Sequence, residues 1–285
     1  MHTTLISAEQ LMALQGSGTP LAVFDCSFEL MNPAAGAAQF ADVHIAGARH
    51  ADLDRHLSTH GSERASGGRH PLPTREAFAA WVGSQGVTPH TQVVVYDRQG
   101  ANYCGRLWWM LKWIGHEAVA VLDGGLAAWQ ATGGALAHGP GETTAPGAPY
   151  PLSEPRARVV GAQAIAAALG DGTHTVVDAR APARYRGEVE PLDPVAGHIP
   201  GALNRPFTSN IGADGRFKPA AELRAEFESL LVGHDPATVV HQCGSGVSAI
   251  PNLLAMEIAG LGRSALFPGS WSEWCNTPGL PVAKG

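Results

Sequence analysis

The stretch VVHQCGSGVSAI, residues 239–250, decides how the fold and function of this chain are interpreted. Its β-branched start predicts a buried strand over 238–241, and the apolar spacing over 247–261 predicts a helix. Residues 243–246 are small and therefore form a strand-to-helix turn. Such a turn lies at the carboxyl end of a strand, where α/β sheets gather ligands.

A cysteine stands at the start of this turn and is the candidate nucleophile. Gly244 and Gly246 permit a positive φ, so that backbone N–H groups can converge, and the helix N-terminus favours an anion. These features favour the thiolate form of Cys243. Position 249 is alanine, whereas a cysteine phosphatase needs an arginine fork there to hold a phosphate dianion. The turn therefore favours a smaller group on sulfur, such as a persulfide.

Length, composition and charge agree with an enzyme of two domains whose partner is a small molecule or another soluble protein. A chain of 285 residues predicts about two domains, and 45% hydrophobic residues can fill two cores. The net charge of −6 gives no polybasic surface for nucleic acid or anionic membranes. The start, MHTTLISAEQLMAL, lacks a signal-peptide pattern, and no segment is apolar for long enough to span a bilayer. We therefore expect a cytoplasmic protein.

Four strings recur in the same order along the chain and indicate a duplicated domain. The pairs are VFD (23–25) with VVD (176–178), HIAGA (44–48) with HIPGA (198–202), VVVYDRQG (93–100) with VVHQCGSG (239–246), and LDGGLAAW (122–129) with FPGSWSEW (267–274). A stretch rich in Pro and Gly separates the copies and predicts a linker. The predicted division is 1–138 for the first domain, 139–155 for the linker and 156–285 for the second domain.

Short β-branched strands alternate with helical patterns in each half, which predicts an α/β fold with mainly parallel sheets flanked by helices. In the first half a helix over 7–14, capped by Ser7, precedes a strand over 21–25. The second half repeats this with a helix over 161–169 and a strand over 175–178.

The repeat places Asp97 where the second half has Cys243. Only the second half can therefore perform thiolate chemistry. The remaining cysteines show no paired spacing, so all four are expected to be reduced thiols. Cys26 and Cys104 lie in apolar surroundings and are predicted to be structural, and Cys275 follows an aromatic pair.

Over essentially its whole length the chain resembles the two-domain rhodanese family of sulfurtransferases, with tandem rhodanese-like domains. The resemblance rests on the motifs HIPGA, DGGLAAW and GSWSEW and on the loop CGSGVSA. The loop is the most specific of these, because it is similar to that of the 3-mercaptopyruvate sulfurtransferases. Thiosulfate-preferring relatives carry basic residues after the cysteine, where this chain has Gly244 and Ser245. The resemblance also implies a catalytically silent first domain with Asp97 in place of cysteine.

The resemblance implies a ping-pong reaction through a persulfide on Cys243. Sulfur would come from 3-mercaptopyruvate or thiosulfate and pass to a thiol, thioredoxin or cyanide. Backbone N–H groups of residues 244–248, hence Gly244, Gly246, Val247 and Ser248, would hold the persulfide. No cofactor or metal is required.

The mercaptopyruvate relatives also use a serine, a histidine and an aspartate, which by motif are Ser245, His70 and Asp54. His70 would polarise Ser245, which would protonate the leaving group. The alternative is that Ser245 caps the loop and His70 is a surface residue of a flexible segment.

The resemblance assigns the donor carboxylate to Arg184, since a guanidinium can bind a carboxylate through two parallel hydrogen bonds. Arg186 is a second candidate, or else pairs with Glu188 or Glu190. Mercaptopyruvate enzymes typically place another arginine after Glu-Pro, where this chain has Leu192, and this departure leaves the donor open.

Two other interpretations remain at this stage. His56 and His60 have i, i+4 spacing, but the segment has no cysteine or convergent carboxylate for a metal, so solvated histidines are expected. The competing function is a persulfide carrier or docking protein with little small-molecule turnover.

Overall fold

The computed structural model describes residues 1–145 and 147–285 and divides the chain into two compact units. Unit 1 comprises residues 1–59, 73–156 and 213–217, and unit 2 comprises residues 60–72, 157–212 and 218–285. The short segment 60–72, which lies within the first sequence repeat, thus packs with unit 2.

Unit 1 alternates strands and helices from its first residues onward. Its elements are β1 (Leu5–Ile6), α1 (Ala8–Gln15), β2 (Leu21–Asp25), α2 (Ala34–Asp42), β3 (His44–Ile45), β4 (Ala48–His50), α3 (Arg75–Ser84), β5 (Gln92–Tyr96), α4 (Cys104–Trp113), β6 (Val119–Leu122), α5 (Gly125–Ala131) and β7 (Leu136–Ala137). The predicted strand over 21–25 is confirmed. So is the helix behind Ser7, whose hydroxyl accepts the Gln10 N–H at 3.2 Å in a reciprocal capping box.

Unit 2 repeats this alternation. Its elements are β8 (Arg158–Val159), α6 (Ala162–Ala167), β9 (Thr175–Asp178), α7 (Pro182–Tyr185), β10 (Leu203–Asn204), α8 (Ala220–Leu230), β11 (Val239–Gln242), α9 (Ile250–Ile258), β12 (Ala265–Leu266) and α10 (Ser270–Trp274). Single 3₁₀ turns cover Phe207–Asn210 and Pro236–Thr238.

Each unit contains one five-stranded, fully parallel sheet, which confirms the predicted α/β class. The strand order is β1-β6-β5-β2-β4 in unit 1 and β8-β12-β11-β9-β10 in unit 2. The two orders correspond strand by strand, as a duplication requires. The register also corresponds: Asp25 lies opposite Tyr96 in unit 1, and Asp178 lies opposite Gln242 in unit 2.

The central strands β5 and β11 are buried at every residue, because helices cover both faces of a parallel sheet. Aromatic side chains complete each core: Tyr96 and Trp129 in unit 1, and Trp271 and Trp274 in unit 2. None of the helices in the described part of the chain is long and apolar enough to cross a membrane.

The ends of the elements around Cys243 differ from the sequence prediction. Strand β11 begins one residue late because Thr238 closes a 3₁₀ turn that Asp235 caps. Helix α9 begins at Ile250 rather than at 247, with Pro251 in its first turn. The loop after the strand is consequently seven residues long, 243–249.

Candidate active site

The backbone of Cys243 is fixed from both sides where strand β11 ends. Its N–H donates to the Ser270 hydroxyl at 3.1 Å, and its carbonyl accepts the N–H of Trp271 at 3.0 Å. Ser270 is one of two non-glycine residues with a positive φ (53°) among the described residues, and its hydroxyl donates in turn to the Phe267 carbonyl. The Cys243 residue itself is only 2% exposed. The candidate nucleophile is thus held at a defined place at the sheet edge.

The two glycines of the loop have different roles, which corrects one sequence prediction. Gly246 has φ +75°, and a Cβ there would collide with the Pro268 carbonyl. Gly244 is absent from the positive-φ residues, so the expected left-handed conformation is wrong at that position. Its lack of a side chain instead leaves room for two guanidinium groups, because a Cβ would lie 3.2 Å from Arg69 and 3.5 Å from Arg184. Val247 is buried and Ser248 is half-buried farther along the loop.

Ser245 and His70 lie in hydrogen-bond contact within unit 2. The Ser245 Oγ is 2.7 Å from the His70 Nδ1, and both residues are buried, with exposures of 6% and 4%. The 175 residues that separate them in sequence are bridged because segment 60–72 belongs to this unit. A serine two positions after the cysteine is thereby in contact with an imidazole that can exchange a proton with it.

Glycines allow the segment that carries His70 to pack closely on helix α10. Gly68 has φ +85°, and a Cβ there would meet the Gly269 carbonyl. The neighbouring Arg69 N–H donates to the Ser272 hydroxyl at 2.9 Å. The Gly-rich sequence before His70 thus anchors the histidine.

Asp54 lies in unit 1, four residues after strand β4. It is half-buried, and its N–H donates to the Asp52 carboxylate at 2.9 Å. Its assignment to the same catalytic group as Ser245 and His70 stays a prediction from the sequence.

Arg184 lies in the last turn of the short helix α7 and belongs to an ionic network with buried carboxylates. Its guanidinium binds Glu190 at 2.6 and 3.2 Å and approaches Asp193 at 3.4 Å. Both carboxylates are almost fully buried. Arg180 extends the network with bonds to Asp178 and Glu190 and to the Gly197 carbonyl. Arg184 is therefore held rigidly beside Gly244, next to the cysteine.

Arg186, the second predicted carboxylate ligand, lies in a different environment. Its guanidinium forms a surface ion pair with Glu188 at 2.7 Å, and both side chains are about half exposed. The ion pair with Glu188 is the alternative to carboxylate binding that the sequence left open for Arg186.

Arg69 is a site residue that sequence reasoning missed. Its Nη1 lies 2.7 Å from the Asp193 Oδ1, so it shares that carboxylate with Arg184. The signal was its position immediately before the predicted His70 in GGRHP.

The equivalent loop of unit 1, residues 97–103, encloses a carboxylate of its own chain. One Asp97 oxygen accepts the N–H groups of Gln99 and Ala101 at 2.9 and 3.0 Å. The other oxygen accepts those of Tyr103 and Cys104 at 2.8 and 2.9 Å. The backbone of this loop therefore converges on one anionic group.

The other cysteines lie in places that disfavour a thiolate. Burial raises the pKa of the Cys26 and Cys104 thiols well above the ordinary value, and the neighbouring Asp25 and Asp97 add to this. Burial also raises the pKa of Cys275, which is half-buried.

The histidines predicted to be solvated include one with a structural role. His56 accepts the Asp52 N–H at 2.9 Å and stacks on Trp81, and burial lowers the pKa of its imidazole. Among the residues that the structure describes, no group of three or more His, Cys, Asp or Glu could hold a metal ion.

Comparison with known proteins identifies relatives along the whole chain. Both halves match the rhodanese-like domain, over residues 7–132 and 161–277. The chain is 43% identical over 282 residues to the "Probable 3-mercaptopyruvate sulfurtransferase" of Pseudomonas aeruginosa, covering 99% of this chain and 98% of that one. It is 38% identical over 286 residues to the "Putative thiosulfate sulfurtransferase SseB" of Mycobacterium tuberculosis, covering 99% and 97%. In structure it is similar to the 3-mercaptopyruvate sulfurtransferase from Leishmania major, with 28% identity and a TM-score of 0.83, covering 98% and 76%.

Proposed function

This chain belongs to the rhodanese family of sulfurtransferases, and on that premise we propose that it takes sulfur from 3-mercaptopyruvate onto Cys243. The resemblance seen in the sequence is confirmed: the protein is a tandem-domain sulfurtransferase of the 3-mercaptopyruvate or thiosulfate type. The finer proposal concerns the donor, the role of each side chain and the acceptor.

The proposed reaction has two half-steps. The Cys243 thiolate attacks the donor sulfur, the carbon–sulfur bond breaks, and its electron pair stays on carbon as the enolate of pyruvate. A proton turns the enolate into pyruvate, and Cys243 retains the sulfur as a persulfide. A thiolate of a small thiol or thioredoxin, or cyanide, then attacks the outer sulfur and releases the Cys243 thiolate.

The contact between Ser245 and His70 is the observation that carries the choice of donor. A carbon leaving group needs a proton. The buried Ser245 hydroxyl can supply it, because it lies 2.7 Å from His70 and two residues after Cys243 in the sequence. His70 would then return a proton to the serine. Sulfite, which leaves from thiosulfate, is a good leaving group and needs no such pair.

The anionic persulfide is proposed to be held by backbone N–H groups of residues 244–248. The unit 1 loop supports this, since the equivalent backbone converges on the Asp97 carboxylate. Arg184, whose guanidinium faces Gly244, is proposed to bind the donor carboxylate.

Thiosulfate is the second candidate donor, because the Mycobacterium tuberculosis relative is named for it. Steady-state assays with both donors and cyanide as acceptor decide between them. We expect the higher kcat/KM for mercaptopyruvate, and a higher value for thiosulfate would overturn the proposal. Thioredoxin, glutathione, dihydrolipoate and cyanide at equal donor concentration would then rank the acceptors.

A further inference from the structure

One serine of helix α10 is bonded to both chain segments that meet at the contact between Ser245 and His70. We propose that Ser272 is a positioning residue, which holds these two segments together and thereby keeps the proton relay of Ser245 and His70 assembled. The inference rests on the proposed function, because the relay serves the departing enolate of the sulfur donor. Neither the family match nor the names of the relatives assigns a role to this serine.

The backbone and the side chain of Ser272 bind one segment each. Its N–H donates to the carbonyl of Gly244, the residue before Ser245, at 2.9 Å. Its hydroxyl accepts the N–H of Arg69, the residue before His70, also at 2.9 Å. Each member of the relay therefore has a neighbouring peptide group that is bonded to the same residue of α10.

The hydroxyl of Ser272 is held in a fixed orientation. The residue is only 6% exposed, and its hydroxyl donates to the Gly269 carbonyl at 3.1 Å while it accepts the Arg69 N–H. A serine hydroxyl has one hydrogen to donate, and here that hydrogen is directed at the helix itself. The oxygen is therefore free to act as an acceptor for the segment that carries His70. Loss of this acceptor favours opening of the segment.

The next residue of α10 binds the same segment. The Glu273 carboxylate accepts the N–H of Gly67, and a Cβ on Gly67 would lie 2.8 Å from the Glu273 Cδ. The segment is also closed on itself, since the Leu72 N–H donates to the Ser66 hydroxyl at 2.9 Å. It is thus a short closed loop that is attached to α10 at two of its peptide groups.

The equivalent helix of unit 1 shows that the fold does not require these two polar side chains. The internal repeat places Ala127 of α5 at the position of Ser272. Ala128 likewise stands at the position of Glu273. Ala127 is exposed, whereas Ser272 is buried. The polar pair occurs only in the unit that contains the candidate nucleophile, which connects it with the site rather than with the sheet.

Chemical modification of His70 measures the positioning without any sulfur donor. Diethyl pyrocarbonate acylates an imidazole only when it can reach the ring, so the buried His70 reacts when its segment opens. Ser272→Ala removes the hydroxyl and keeps the N–H that binds Gly244. It should raise the rate of His70 modification about tenfold, the scale of one lost hydrogen bond. Peptide mass spectrometry follows this rate, with the exposed His234 as an internal reference.

Turnover should depend on the donor in the same variant. Ser272→Ala should lower kcat for mercaptopyruvate at least about tenfold and change KM by less than about twofold, because the relay acts on the leaving group. Thiosulfate turnover should change by less than about twofold, since sulfite leaves without a proton. In a Ser245→Ala background, Ser272→Ala should cause no further loss, because its effect passes through that serine.

A serine on another helix of the same unit provides the matched control. Ser229→Ala removes an exposed serine from α8 and should keep both the wild-type rate of His70 modification and the wild-type turnover. Ser272→Ala itself is expected to fold, because unit 1 has alanine at the equivalent position.

The outcomes separate this inference from the proposed function. An unchanged rate of His70 modification in Ser272→Ala overturns the positioning role even if mercaptopyruvate is a good donor. Equal losses of turnover with both donors also overturn it, because they show that Ser272 only shapes the cysteine loop. If the rate of His70 modification rises as expected while mercaptopyruvate is not turned over, the positioning role stands and the choice of donor is wrong.

Discussion

The loops after β5 and β11 have the same length, the same strand register before them and a positive-φ glycine at the same place, Gly100 and Gly246. The first loop closes on its own Asp97 carboxylate, whereas the second begins with the thiol of Cys243. In unit 1 this backbone gathers N–H groups around the Asp97 carboxylate. We propose that the matching loop of unit 2, which has a small sulfur in place of the carboxylate, gathers them around a transferred group.

A second pair of equivalent positions also differs between the two units. Gly125 in unit 1 and Ser270 in unit 2 both have a positive φ, at 55° and 53°. The left-handed conformation costs a serine roughly 1 kcal/mol relative to glycine. In unit 2 this conformation brings the Ser270 hydroxyl to the N–H of Cys243, so the strained residue fixes the backbone of Cys243.

The largest expected effect is on turnover by Cys243→Ser. This variant should abolish sulfur transfer from either donor, because serine cannot form a persulfide. Cys275→Ser should keep wild-type rates, since Cys275 is held as a thiol by burial. Initial-rate assays with mercaptopyruvate check both, and measurable turnover in Cys243→Ser would contradict the mechanism.

A matched pair of alanine variants tests the difference between the loops directly. Asp97→Ala leaves four N–H groups, two of them buried, without their carboxylate and should lower the free energy of unfolding by at least about 3 kcal/mol. Cys243→Ala removes one sulfur atom and should cost about 1 kcal/mol. Urea denaturation followed by tryptophan fluorescence measures both. Equal losses would mean that the two loops are held in the same way.

Ser245→Ala tests the proton donor. Mercaptopyruvate turnover should fall roughly 10²-fold, the usual scale for a general acid, while thiosulfate turnover should fall far less. Ser245→Lys should raise the thiosulfate rate, because it places an ammonium beside a sulfonate, and should depress the mercaptopyruvate rate.

The double variant Ser245→Ala with His70→Asn provides the control for this prediction. Its loss should be close to that of Ser245→Ala alone, since the two side chains act as one unit. Equal losses with both donors in Ser245→Ala would show that the serine only shapes the loop.

The smallest effect is on acid stability and comes from the central strands. His241 in β11 corresponds to Val95 in β5, and burial lowers the pKa of His241 to about 3. The unfolded chain protonates this histidine near pH 6.5 while the folded protein does not, so stability falls as the pH falls from about 6.5 to about 3. His241→Val should reduce this slope by up to about 1.4 kcal/mol per pH unit. Urea denaturation at pH 7, 6 and 5 measures it, and an unchanged slope would show that His241 is charged in the folded protein.

Local patterns were sufficient for two of the sheet strands. The strands Leu21–Asp25 and Thr175–Asp178 begin and end as predicted, because β-branched runs between turn residues specify them. The start of α9 was missed because apolar spacing continues through the loop and only Pro251 indicates the first helical turn.

Contacts distant in sequence explain what was missed at the site. The position of Arg69 depends on Asp193, 124 residues later, and on the packing of Gly68 against Gly269. The role of Gly244 likewise depends on the two arginines beside it rather than on its own φ. Apart from the place of Arg69 next to His70 in GGRHP, neither feature leaves a local pattern in the sequence.

The most direct test of the account is whole-protein mass spectrometry after a single turnover with 3-mercaptopyruvate and no acceptor. We expect a gain of one sulfur atom per chain, located on the peptide that contains Cys243, lost on adding cyanide and absent from Cys243→Ser. No gain in the wild type, with sulfur accepted only from a partner protein, would contradict turnover of this donor and indicate a persulfide carrier instead.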